Sequence, residues 1–98
     1  MINLDLNKPL LNLDNEEIQD ESGKKVTIGL LLAQQLISSS EGDALKFLDW
    51  AITLKEGKPL QLDSSDKQTL EAFVKGVKTL TNLGKGRILQ EILNSKNS

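Results

Sequence analysis

Apolar and polar positions alternate at the start of the chain. Ile2, Leu4 and Leu6 are interleaved with Asn3, Asp5 and Asn7, the period of a strand buried on one face. Pro9 interrupts the pattern, and Leu10, Leu11 and Leu13 resume it. Asp14-Asn15-Glu16-Glu17 reads as a turn, because Asp and Asn side chains satisfy nearby backbone groups. Ile18 begins a possible return strand, and residues 21–25 form a polar loop. Residues 1–25 are therefore expected to be an extended arm or small β-hairpin. A lone two-stranded hairpin is marginal in water, so the arm must lie on the helices or on a partner.

From residue 26 the period changes to that of helices. Thr27 is placed to cap a helix over 28–38, whose apolar residues leave only a narrow polar strip at Gln34 and Gln35. A helix apolar nearly all round is expected at the centre of a fold. Asp43 is placed to cap a second helix over 44–55, with Leu45, Phe47, Leu48, Ala51, Ile52 and Leu54 on a wide apolar face and Trp50 at its boundary. Gly57 stands where a C-terminal cap glycine belongs. Leu60 and Leu62 suggest an extended connector pinned to the core, beside the N-terminal strand. Asp63 or Ser64 caps a third helix, whose stripe Leu70, Phe73, Val74, Val77, Leu80 carries it to about residue 80. Thr81-Asn82-Leu83-Gly84 is read as the turn that ends it. A last helix over about 85–94 and a frayed tail at 95–98 complete the chain.

The pattern predicts a mostly α, single-domain bundle of about four short helices with an N-terminal extended arm or β-hairpin. The helical core spans 26–94, and no internal repeat is read. The chain length of 98 residues suits one domain with one modest core.

Composition removes whole classes of chemistry. The chain has no cysteine and no histidine. Disulfides, thiolate metal sites, Ser–His–Asp triads and Cys–His pairs are excluded. A Ser–Lys pair needs a desolvated lysine, and every lysine falls at a position expected to be exposed. The carboxylates Asp14, Glu16 and Glu17 are accounted for by a turn, and Asp63 and Asp66 by a helix cap. With Asp20 and Glu21 the first group lacks the spacing and glycine of a calcium loop. No catalytic residue, cofactor, metal or small-molecule substrate is expected. No basic stretch precedes an apolar one at the N-terminus, and no segment reaches the ~20 apolar residues that span a bilayer. The expectation is a soluble, cytoplasmic protein without membrane association.

Charge is divided unevenly. Residues 1–66 carry six Lys against twelve acidic residues, and residues 67–98 carry five Lys and one Arg against two acidic ones. Either the basic end docks on acidic parts of its own fold, or it is a contact surface. Gly84-Lys85-Gly86 invites a phosphate site but lacks the full phosphate-loop pattern, so a glycine-mediated helix junction is the preferred reading. The third helix, the turn and the fourth helix also fit a helix-turn-helix. Lys75, Lys78, Lys85, Arg87 and Lys96 would then contact nucleic-acid phosphates. This is the alternative to the leading expectation, a non-enzymatic protein-interaction module. For that module the strand edge at Ile2, Leu4 and Leu6, together with Trp50, is the expected contact surface for a protein partner or a second copy.

Lys8-Pro-Leu-Leu-Asn-Leu-Asp14, Gly23-Lys-Lys-Val-Thr-Ile-Gly-Leu-Leu-Leu-Ala33, Glu41-Gly-Asp-Ala-Leu-Lys-Phe-Leu-Asp-Trp50 and Leu80-Thr-Asn-Leu-Gly-Lys-Gly86 resemble small proteins of tailed phages and prophages. The similarity runs over most of the chain and is one of general pattern. It implies a phage accessory or assembly protein, acting in the host cytoplasm on a protein partner.

Overall fold

Three short pieces from the beginning, middle and end of the chain meet in one antiparallel sheet. In the computed structural model, which describes residues 1–40 and 42–97, β1 (Ile2–Leu4) lies between β2 (Leu60–Leu62) and β3 (Lys96–Asn97). Ile2 pairs with Leu62 and with Asn97, and Leu4 pairs with Leu60. The period-two pattern sends Ile2, Leu4, Leu60 and Leu62 to one face, where all are buried. Asn3 and Gln61 stay on the wet face and share a side-chain hydrogen bond. The end of the chain is thus a paired strand through Asn97 rather than a frayed tail; Ser98 lies outside the described residues.

Four helices cover this sheet, and the fold is mostly α. They are α1 (Ile28–Ser38), α2 (Ala44–Lys55), α3 (Ser64–Gly76) and α4 (Asn82–Asn94). Each N-terminus is capped by the side chain that precedes it: Thr27, Asp43, Asp63 and Thr81 accept from the backbone N–H of Leu30, Lys46, Asp66 and Gly84. Gly57, just beyond α2, has a positive φ of 76°, as expected for its place after a helix.

The boundary between α3 and α4 differs from the sequence expectation. α3 stops at Gly76, not near residue 80, and α4 starts three residues early at Asn82. The apolar residues Val77 and Leu80 follow helical spacing but belong to the connection. Gly84 and Gly86 lie inside α4 and are neither a junction nor a phosphate-cradling loop. A Cβ at Gly84 would sit 3.0 Å from Leu31 Cδ2, the end of a movable side chain, so α4 approaches α1 closely at this point.

Between β1 and α1 the arm contains a repeat that the sequence does not reveal. Leu10, Ile18 and Val26, eight residues apart, form a closed ring of backbone hydrogen bonds. The N–H of Leu10 donates to the carbonyl of Val26 (2.8 Å), that of Val26 to Ile18 (2.9 Å), and that of Ile18 to Leu10 (3.0 Å). The turns that join the legs are built alike. Asn12 Oδ1 accepts from the N–H of Asp14 and Glu16, and Asp20 Oδ1 from that of Ser22 and Lys24, all at 2.9 Å. Three residues beyond each of these stands a left-handed residue, Asn15 (φ 61°) and Gly23 (φ 85°). The arm is extended, as expected, with antiparallel bridges Leu11–Glu17 and Gln19–Lys25 across its turns, and its three legs close into a ring. Leu10 is buried, and Ile18 and Val26 pack against the core.

Because Leu62 joins the sheet to the helices and is fully buried, Leu62→Ala should cost about 2–5 kcal/mol. Urea unfolding followed by the fluorescence of Trp50, the single tryptophan, measures this.

Candidate functional site

The core stripe of α2 is Phe47, Trp50, Ala51 and Leu54, all buried. Trp50 stacks on Phe47 with ring centroids 5.5 Å apart and is 6% exposed. Once these four point inward, helical geometry turns Leu45, Leu48 and Ile52 outward, at i, i+3 and i+7. They are 82%, 50% and 49% exposed. On α1 the same happens to Leu30 and Ile37, 42% and 61% exposed. They lie two turns apart on one side of a helix that contains no charged residue. α1 is therefore not the enclosed central helix its composition suggests.

The two exposed sets adjoin. Ile37 and Leu48 line the same hollow, about 240 Å³, together with Leu36, Ala44 and Phe47. On the outer surface of the α1–α2 pair these aliphatic residues alternate with the exposed Gln34, Asp49 and Lys55, and a hollow that Ser39, Ser40 and Gly42 also line lies at one end. The polar border of that surface on α2 differs in kind. Lys46 holds Asp66 of α3 at 2.7 Å, and its Nζ lies 5.9 Å from the Trp50 ring centroid.

The contact surface expected from the sequence corresponds to none of this. Ile2, Leu4 and Leu6 are buried, and β1 is the central strand, hydrogen-bonded on both edges. They and Trp50 have no surface to offer in the folded chain. The residues overlooked are Leu30, Ile37, Leu45, Leu48 and Ile52. Their signal was present, since the apolar arc of α2 is wider than one core-facing stripe requires.

Three basic residues of the C-terminal half, Lys75, Lys85 and Arg87, make contacts inside the chain. Arg87 donates from Nε to the Leu11 carbonyl (3.1 Å) and from Nη2 to the Asn12 carbonyl (2.8 Å), tying α4 to the first turn of the arm. Lys85 Nζ lies 3.4 Å from the Lys75 carbonyl, at the C-terminal end of α3; Lys85 is half-buried, not exposed as expected. Lys75 pairs with Glu71 at 3.1 Å and, like Lys78, remains exposed. Among the described residues the ion pair that links the two halves runs opposite to the charge balance: Lys8 of the arm holds Glu91 of α4 at 2.5 Å. Among the described residues no ion pair joins a basic residue of 67–98 to an acidic residue of 1–66. Of Lys96 only the backbone is described.

A second, more polar cavity of about 470 Å³ lies between the C-terminal ends of α1 and α3, bordered by Gln35, Ser38, Ser40, Phe73, Lys78 and Thr79. The Thr79 hydroxyl donates to Gln35 Oε1 across it. Among the described residues no three His, Cys, Asp or Glu side chains converge to hold a metal, and no helix is long and apolar enough to cross a membrane. The chain matches no family model, no curated protein and no solved structure.

Two carboxylates lie below their ordinary range. The hydrogen bond from Lys46 lowers Asp66, and the Ser22 hydroxyl, with backbone N–H groups, lowers Asp20. A depressed folded pKa stabilises the fold above the unfolded value of ~3.9 and loses that contribution as pH falls through the folded value. Stability should thus decline below about pH 4, and Asp66→Asn should flatten the decline. The effect is small, because Lys46 is well exposed; thermal melts between pH 7 and 2 would show it. Arg87→Met should destabilise the chain by about 1.5–3 kcal/mol and speed amide exchange at Leu10, Ile18 and Val26. Arg87→Lys should recover only part, lacking the planar fork.

Proposed function

We propose that the protein is a non-enzymatic protein-interaction module that binds its partner through the outer face of α1 and α2. The observation that carries this reading is the coherence of the exposed aliphatic side chains. Scattered exposed leucines are ordinary on a soluble chain, but five exposed aliphatic residues grouped on two adjacent helices are the kind of enrichment that marks a contact surface. Leu30, Ile37, Leu45, Leu48 and Ile52 together leave the equivalent of nearly three whole aliphatic side chains in water. Covering them is worth on the order of 4–8 kcal/mol before the cost of association.

The core does not need these residues. Eighteen other apolar residues fill it, and no buried side-chain polar atom among the described residues lacks a partner. The aliphatic face is therefore not a defect of packing that a rearrangement would relieve. The absence of histidine and cysteine and the engagement of Lys85 and Arg87 in holding the fold favour this reading over catalysis and over nucleic-acid binding. The resemblance to small phage proteins supports a setting: an accessory or assembly factor in the host cytoplasm, with another protein as partner.

A photoreactive phenylalanine analogue at Leu45, in cells that produce the protein, should give discrete covalent adducts. The same analogue at Gln68, exposed on α3, should not. Equal labelling at both positions, or none at Leu45, would reject the interaction face.

A further inference from the structure

We draw no further inference here: the strongest candidate, the cavity of about 470 Å³ between the C-terminal ends of α1 and α3, is bordered by the exposed Lys78, which would draw an anion, and by two helix C-termini, which would draw a cation, so its lining selects no ligand.

Discussion

The structure depends on the insertion of β1 between β2 and β3. A three-residue strand contributes little by itself, since isolated strand pairs are marginal in water. Here it closes the chain at two distant points, joining residues 2–4 to 60–62 and to 96–97. The apolar face of that small sheet, Ile2, Leu4, Leu60 and Leu62, supplies part of the floor against which the helices pack. Immediately after β1, the buried Leu6 offers its carbonyl to the N–H of Gly29 (2.9 Å), at the start of α1. A Cβ at position 29 would lie 3.1 Å from that oxygen. The sheet and the entry to α1 are therefore positioned by one contact.

Between those two points the arm faces a backbone problem. Residues 8–27 have no long strand to pair with, yet their polar groups need partners. The ring of Leu10, Ile18 and Val26 meets part of the need internally, and the Asx turns at Asn12 and Asp20 meet more. Arg87 takes the Leu11 and Asn12 carbonyls, so the arm and α4 support one another. The cost is a guanidinium group withdrawn from the surface, at the position where a helix-turn-helix protein would hold it ready for a base or phosphate.

These elements differ in how far they could be read in advance. Thr27, Asp43 and Asp63 define helix starts because a capping side chain acts on a backbone N–H three residues away, a purely local event. The extents of α1 and α2 follow for the same reason. The arm's repeat was hidden because residues 10–17 and 18–25 share no identical position. What recurs is role: an apolar residue to fill the ring, Asn or Asp to accept two N–H groups, Asn or Gly to take positive φ. The α3–α4 boundary failed for the opposite reason. Val77 and Leu80 keep helical spacing, while Gly84 and Gly86 look like a break. Thr81, whose hydroxyl accepts from the N–H of Gly84, caps α4 and sets its start.

The exposed aliphatic residues of α1 and α2 were missed through a limit of the same kind. Periodicity identifies which residues of a helix are apolar, but not how many of them the rest of the fold can cover. On α2, Phe47 stacks on Trp50 and meets the edge of Phe73 of α3, the Phe47 and Phe73 rings lying 5.1 Å apart at 69°. With Phe47, Trp50, Ala51 and Leu54 turned into the core, chiefly against α1, the rotation of α2 about its own axis is set. With the rotation set, Leu45, Leu48 and Ile52 have no inward direction left. The same argument explains why Trp50 is unavailable to a partner although an amphipathic residue at a stripe boundary is a common anchor. The orientation of α2 that buries its core stripe is thus what leaves Leu45, Leu48 and Ile52 outside, so burial of Trp50 and exposure of Leu45 are two consequences of one packing choice.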